Sequence, residues 1–136
     1  MRVLLDTNII LDYFLERDPF MNDAEALFAQ IEAKQIEGYI TATTLTDIFY
    51  IVIKSKGTQL AKQAVSKLLD GLHICQVDRL ILESALALEL NDFEDAVQIA
   101  CAIASNLEAV ISRDRDGFAQ APMPTYSPRD IIKQLP

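Results

Sequence analysis

The sequence predicts a three-layer α/β/α protein with a mostly parallel central sheet, formed by one domain over residues 1–136. Short apolar segments of strand type alternate with amphipathic helical segments along the whole chain. This alternation is typical of parallel strands whose crossover helices cover both faces of the sheet. A length of 136 residues fits one domain, and no Pro-, Gly- or Ser-rich linker and no repeat divides it.

Composition limits the class of protein further. The apolar fraction of 51% is enough for a core, and no apolar segment reaches the roughly 18 residues of a membrane span. No signal-peptide pattern follows Met1, so we expect a cytoplasmic protein without membrane contact. Cys75 and Cys101 lack the C-x-x-C spacing, which favours buried free thiols over a disulfide or a metal pair.

The formal net charge of −8 has the wrong sign for a protein that binds a phosphate backbone over a wide surface. It indicates bound cations, a basic partner or a small local basic patch.

The first strand is the apolar segment 3–6, which ends abruptly in the carboxylate of Asp6. A short apolar segment bounded by polar residues is typical of a buried central strand. Thr7 and Asn8 offer side-chain oxygens that could cap the following helix. Ligands of open α/β sheets bind outside the carboxyl ends of the strands, so Asp6 is predicted to lie at the functional edge.

The other elements follow from periodicity, caps and breakers. Asn22, Thr58 and Asp78 are predicted to cap helices, and Gly57 is predicted to end one. His73, the only histidine, is interpreted as a strand-entry residue near the surface rather than a ligand or base. Predicted helices cover residues 8–16, 22–35, 44–55, 58–72, 79–90, 91–104 and 128–133, and predicted strands cover 3–6, 39–41, 73–77, 109–112 and 125–127.

The third helix contains the segment 48–53, which is apolar nearly all round. Such a helix is buried on most sides, either in the core or in an oligomer interface. A domain this small rarely buries a whole helix, which favours a homodimer covering Phe49 and Tyr50.

Four carboxylates are predicted to meet at one edge of the sheet. Asp6 and Asp114 follow strands, whereas Asp47 and Asp95 lie one turn into helices. Converging carboxylates without a basic residue repel one another unless a divalent cation lies between them. Such hard oxygen ligands suit Mg²⁺ or Mn²⁺, and the chemistry that they support is two-metal phosphodiester hydrolysis.

Each of these residues also has a purely structural interpretation. Asp6 could cap the first helix, and Asp95 could be the third helical position of a capping box opened by Asp92. Thr44 and Asp47 have the same spacing.

The remaining acidic residues near the site have similar interpretations. Asp92 and Glu94 fit a helix cap and a helix-dipole partner. Asp114 and Asp116 could be surface residues paired with Arg113 and Arg115. The prediction that all these carboxylates lie at one edge of the sheet favours a functional site over separate structural roles.

Three segments resemble the signature segments of PIN domains, and in particular of the small stand-alone bacterial PIN proteins that include the VapC toxins. They are Leu4-Leu5-Asp6-Thr7-Asn8, Asp92-Phe93-Glu94-Asp95-Ala96 and Ile111-Ser112-Arg113-Asp114-Arg115-Asp116-Gly117-Phe118. The resemblance spans essentially the whole chain, in order. It implies a three-layer α/β/α fold, Mg²⁺- or Mn²⁺-dependent ribonuclease activity, homodimerisation and, for the toxins, a cognate antitoxin.

The resemblance also implies roles for individual residues. The metal-binding and catalytic carboxylates are Asp6, Asp47, Asp95 and Asp114, with Asn8 and Ser112 as supporting residues and Asp116 as a further candidate ligand. The family more usually has Glu at the position of Asp47. It more often places Asp directly before the Phe of the last segment, which leaves the choice between Asp114 and Asp116 open.

The leading hypothesis is therefore a metal-dependent endoribonuclease of the VapC type. Its RNA contacts are predicted to come from a local basic set, provided that its members face the cleft: Lys54, Lys56, Lys62, Arg113 and Arg115. One alternative is a PIN-fold binding or scaffold protein with little or no nuclease activity. Another is a phosphohydrolase or phosphoacceptor domain, which usually needs a second Asp two residues after the first, where this chain has Asn8.

Overall fold

Five parallel strands form one central sheet in the order β3-β2-β1-β4-β5 in the computed structural model, which describes residues 1–136. The strands are β1 (Arg2–Leu5), β2 (Glu37–Thr41), β3 (His73–Cys75), β4 (Ala109–Ile111) and β5 (Thr125–Tyr126). The helices are α1 (Thr7–Phe14), α2 (Met21–Glu32), α3 (Ala42–Lys56), α4 (Thr58–Gly71), α5 (Arg79–Ala87), α6 (Phe93–Ala104) and α7 (Pro128–Lys133). The predicted α/β fold class is confirmed.

The side chains of β1 alternate between two apolar cores, one on each face of the sheet. Val3 and Leu5 pack in the core built with α1, α2, α3, α4 and α7, whereas Leu4 packs in the core built with α5 and α6. Because both faces are covered, every apolar residue of this strand is buried, which explains its continuous apolar sequence.

Several helix starts differ from the prediction because the caps differ. Thr41 caps α3 by accepting a hydrogen bond from the Thr44 backbone N–H at 3.0 Å, so α3 starts earlier than predicted and Thr44 lies inside it. The predicted caps at Asn22 and Thr58 are wrong, because neither α2 nor α4 has a side-chain cap. Asp78 caps α5 as predicted, through the Ile81 N–H.

The burial of α3 comes mainly from its own chain. Ile48 and Val52 lie in the core, and Phe49 packs partly against it, whereas Tyr50 is 65% exposed. Contacts of α3 with α1, α4 and β2 account for the burial of Ile48 and Val52. The second copy predicted over Phe49 and Tyr50 stays a prediction.

The two cysteines are free and buried, as predicted. Burial raises the pKa of both thiols, that of Cys101 to about 12, which keeps them protonated and poorly nucleophilic. His73 is exposed at the first position of β3, with its ring stacked on Tyr39, which confirms its interpretation as a strand-entry residue. None of the helices is long and apolar enough to cross a membrane.

Candidate active site

Asp6 lies directly after the central strand and is held by three donors. The Thr7 backbone N–H donates to its Oδ1 at 2.7 Å, the Gln98 side-chain Nε2 donates to the same oxygen at 3.0 Å, and the Ser112 hydroxyl donates to Oδ2 at 2.7 Å. The residue caps α1, so the cap lies one residue before the predicted Thr7 and Asn8. Asp6 lies at the carboxyl edge of the sheet, where its side chain is buried and these hydrogen bonds fix its orientation.

The register of the sheet explains why Ser112 meets Asp6. Leu5 pairs with Ile111, so Asp6 and Ser112 are the first residues beyond two neighbouring paired strands. The Ser112 hydroxyl also accepts a hydrogen bond from the Asp114 backbone N–H at 2.9 Å. One serine therefore connects the orientation of Asp6 to the segment that carries Asp114.

Asp95 and Asp114 approach each other around Gly117. A methyl group built on Gly117 would lie 2.7 Å from Asp114 Oδ2 and 2.8 Å from Asp95 Oδ2, closer than real side-chain contacts allow. The Gly117 N–H also donates to Asp114 Oδ1 at 3.0 Å. Gly117 thus leaves the space in which the two carboxylates converge, a role that the turn-like sequence around it could have indicated but that was not predicted.

The pKa of Asp95 is raised in this surrounding. Burial, followed by the charges of Asp92, Asp6 and Asp114, raises the pKa of Asp95 from 3.8 to about 7. The Asp95 backbone N–H donates to Asp92 Oδ1 at 3.1 Å, so the predicted cap by Asp92 is confirmed. Because that contact uses only the backbone of Asp95, its carboxylate remains available to a ligand.

Glu94 also faces the acidic edge, which the sequence interpretation as a helix-dipole partner missed. The Thr7 hydroxyl donates to Glu94 Oε1 at 2.8 Å. Burial raises the pKa of Glu94, and the charges of Asp47 and Asp6 raise it further, against the opposing effect of the Thr7 hydrogen bond. The repulsion indicates that Asp47 belongs to the same charged edge.

The structural alternative for Asp47 is wrong: the capping box of Thr44 and Asp47 does not form, because Thr41 is the cap of α3. The alternative for Asp114 and Asp116 is correct in one part, since both are exposed and Asp114 accepts a turn hydrogen bond from the Gly117 N–H.

The two arginines of the last segment do not neutralise their acidic neighbours. Arg113 pairs with Asp12 and Arg115 pairs with Asp130. No ion pair reaches any of the predicted ligands, which are Asp6, Asp47, Asp95, Asp114 and Asp116.

An open cavity of about 370 Å³ adjoins the acidic edge. Asp95, Asp114 and Asp116 line it, whereas Asp6 and Asp47 do not. A larger cavity of about 920 Å³ lies at the opposite edge of the sheet, next to Gly38 and His73, and contains none of the predicted site residues.

The donor chemistry of the acidic edge fits a hard divalent cation. All predicted ligands offer carboxylate oxygens, and the Asn8 Oδ1, two residues after Asp6, is buried without a hydrogen-bond partner. The Gln98 Oε1 is likewise buried and unpartnered. No three acidic, histidine or cysteine side chains are close enough together to form a complete metal-binding group.

The predicted basic set does not gather at this edge. Lys54 and Lys56 lie in the last turn of α3, and the helix rise of about 1.5 Å per residue puts that turn roughly 20 Å from the start of α3 at the site. Lys56 contacts Glu16, beyond the far end of α1, and Lys62 follows in α4. These lysines are therefore wrongly predicted as cleft residues, because sequence spacing does not show in which direction a helix leaves the sheet.

Comparison with known proteins gives a family match and several structural neighbours. A family model described as a PIN domain matches residues 2–116. A toxin–antitoxin complex from Klebsiella pneumoniae is 27% identical, with a TM-score of 0.69, and the match covers 93% of this chain and 97% of that chain. No curated protein matches the chain.

Two further neighbours show the shared fold at lower identity. VapC20 from Mycobacterium tuberculosis, described as a sarcin–ricin loop cleaving toxin, is 17% identical with a TM-score of 0.72, and the match covers 86% of this chain and 93% of that chain. VapBC2 from Rickettsia felis, bound to a DNA fragment from its promoter, is 20% identical with a TM-score of 0.69, covering 93% and 98%.

Proposed function

The chain belongs to the PIN-domain family, and from this premise we propose that it is a Mg²⁺- or Mn²⁺-dependent endoribonuclease and the toxin of a type II toxin–antitoxin pair. The observation that carries the proposal is the group of carboxylates around Asp6, Asp95 and Asp114, which no basic side chain neutralises. Asp6 is buried, Asp95 is half-buried and Asp114 is exposed. Carboxylates that repel one another at the ligand-binding edge of a sheet are costly to stability and are typical of functional sites.

The ligands in this proposal are Asp6, Asp95 and Asp114, with Asp47 and Asp116 as further carboxylates and Asn8 as an oxygen donor. A divalent cation held there supplies a water of lowered pKa and stabilises charge on the phosphate during in-line displacement. Ser112 and Gln98 hold Asp6 in one orientation through their hydrogen bonds. Asp95 must be ionised to act as a ligand, and its pKa of about 7 makes ligand formation sensitive to pH near neutrality.

RNA as the substrate class is supported by the fold shared with a toxin described as cleaving the sarcin–ricin loop. Arg115 is the exposed basic residue next to the acidic cavity, and its ion pair with the half-exposed Asp130 is weak enough to exchange for a phosphate. The net charge of −8 restricts favourable RNA contact to such local positions.

A protein antitoxin is proposed as the partner, because the structural neighbours include toxin–antitoxin complexes.

We further propose a homodimer in the cytoplasm. Its apolar surface would include Tyr50 of α3, which is 65% exposed, and the half-buried Phe49, whose ring lies 5.3 Å from that of Tyr50. Light scattering should then give about twice the chain mass of 15.2 kDa, and a monomer at tens of micromolar would contradict the dimer.

A binding or scaffold protein of the same fold is the second candidate. It is favoured by one observation: the site carboxylates are not gathered into a complete metal-binding group. It predicts partner binding without RNA cleavage.

Cleavage of a labelled RNA with Mg²⁺, with Mn²⁺ and with EDTA separates the two candidates. We expect metal-dependent cleavage by the wild type and a loss of orders of magnitude in Asp6→Asn, because a ligating charge is removed. Asp23→Asn is the matched control, since Asp23 is a carboxylate outside the site that pairs with Arg129. Undiminished cleavage by Asp6→Asn would remove the nuclease assignment.

A further inference from the structure

A buried ion pair lies directly behind the acidic edge. Asp12 of α1 is only 1% exposed, and it accepts two hydrogen bonds from the Arg113 guanidinium, at 2.8 Å from Nε and 3.1 Å from Nη2. This two-point contact fixes the guanidinium plane as well as its position.

Other side chains hold Arg113 in the same place. The Phe20 ring lies 3.9 Å from the guanidinium carbon, within the range of a cation–π contact. Arg17 approaches the Asp12 carboxylate at 3.9 Å, which supplies a second positive charge. The Arg113 side chain is 32% exposed, and two of its three guanidinium nitrogens are engaged by Asp12, which leaves little of it to bind a substrate.

The Asp12–Arg113 pair can affect the candidate site because Arg113 lies in the chain between two residues of that site. Arg113 lies between Ser112, which donates to Asp6, and Asp114, which converges with Asp95. Asp6 caps the helix that also carries Asp12. One short helix therefore holds Asp6 at its start and, through the Asp12–Arg113 pair, the segment that carries Asp114.

We propose that Asp12 and Arg113 are positioning residues that hold the segment carrying Asp114 in place beside Asp6 and Asp95 at the candidate site. This inference rests on the proposed function for its catalytic consequence, although the positioning itself can be tested without metal. Buried ion pairs are weak stabilisers compared with apolar packing, so a positioning role explains why a charged pair occupies this location.

Amide hydrogen exchange in the metal-free protein tests the positioning directly. The Asp114 N–H donates to Ser112, and the Gly117 N–H donates to Asp114, so both amides report on the segment. In Arg113→Gln we expect exchange at these two amides to be about tenfold faster or more, with Arg113→Lys intermediate because it keeps the charge and loses the two-point contact. The amide of Val110 in β4 should keep its rate.

Arg129→Gln is the matched control and should keep the wild-type exchange rates, because it removes an arginine outside the segment whose ion pair with Asp23 is largely exposed. A double variant, Asp12→Asn with Arg113→Gln, leaves no unpaired carboxylate and provides a folded protein if the single variant does not fold. Wild-type exchange rates at Asp114 and Gly117 in the folded variants would overturn the proposal.

Metal affinity and kinetics test the consequence for the site. In Arg113→Gln we expect the Kd for Mn²⁺, measured by calorimetry, to rise about tenfold or more, as for other residues that orient metal ligands. We expect kcat for RNA cleavage to fall while KM stays within about twofold, because Arg113 does not contact the substrate.

The outcomes separate this proposal from the proposed function. A raised KM with unchanged kcat, Mn²⁺ affinity and exchange would make Arg113 a substrate contact and overturn the positioning role. A wild-type protein that binds no Mn²⁺ would instead contradict the proposed function, and the exchange rates would still decide whether the pair positions the segment.

Discussion

Carboxylates near the segment 112–117 differ in how their charge is balanced, and they fall into a neutralised group, formed by Asp12 alone, and an unneutralised group, formed by Asp6, Asp95 and Asp114. Asp12 is neutralised by Arg113 at 2.8 Å, with Arg17 nearby. Asp6 and Asp114 accept hydrogen bonds, but no member of the unneutralised group has a cationic side chain as partner.

The difference identifies which group can take a ligand. The negative charge of a buried carboxylate that is paired with arginine is already balanced, so the carboxylate does not attract a further cation and its role is structural. The unneutralised group raises the pKa of Asp95 to about 7, and either a proton or an added cation relieves its repulsion. The repulsion lowers the free energy of unfolding of the metal-free protein, and such a cost is common at functional sites.

The largest expected effect is on catalysis by the unneutralised group. Asp95→Asn should lower the rate of metal-dependent RNA cleavage by about 10²-fold or more, because it removes a charge that would hold the metal ion. Single-turnover cleavage at saturating Mg²⁺ measures this effect. Asp78→Asn, which alters a helix-capping carboxylate outside the site, is the control and should stay close to the wild-type rate.

The next effect concerns the neutralised group. Asp12→Asn should lower the free energy of unfolding by roughly 3 kcal/mol, the lower end for breaking a buried pair, because Arg113 is partly exposed. Urea unfolding at pH 7 measures it. Asp130→Asn breaks the more exposed pair with Arg115 and should cost only about 0–1 kcal/mol. Equal losses in both variants would show that the Asp12–Arg113 pair contributes no more to stability than an exposed ion pair.

Added cation should stabilise the protein through the unneutralised group alone. Mg²⁺ at a hundredfold excess over its dissociation constant is expected to add about 2.7 kcal/mol by mass action. Thermal melts with and without Mg²⁺ should show a raised Tm for the wild type and little response in Asp6→Asn. If Asp95→Ala only lowers the Tm and Asp95→Asn keeps the full Mg²⁺ response, Asp95 has only a structural role in its helix.

The last effect is the pH dependence of metal-free stability. The folded protein keeps a proton on Asp95 up to about pH 7, whereas the unfolded chain, with a pKa near 3.8, has released it. Between those values the folded state binds more protons, so this group makes stability fall as pH rises, with no further change above about pH 7 or below the unfolded pKa.

Urea midpoints in EDTA for the wild type and Asp95→Asn test this sign. The variant should gain stability relative to the wild type as pH rises and should match or exceed it at pH 8. A difference that does not vary with pH would show that Asp95 keeps an ordinary pKa.

Much of the fold could be predicted because local patterns decide it. The apolar segment before Asp6, the glycine after α3 and the cap at Asp78 are short-range signals, and each has its predicted role in the structure. The carboxylates of the candidate site could be proposed for the same reason, since strand ends and helix starts of a parallel sheet meet at one edge.

Tertiary structure alone decided which charges are balanced. Arg113 pairs with a residue 101 positions earlier in the chain, and no local pattern specifies such a partner. The contact of Gln98 with Asp6, the position of Glu94 beside Thr7 and the convergence of carboxylates around Gly117 depend equally on packing between distant elements. Sequence periodicity determines which side chains a helix or strand presents on each face, whereas the register of the sheet and the packing of the helices determine which of them meet.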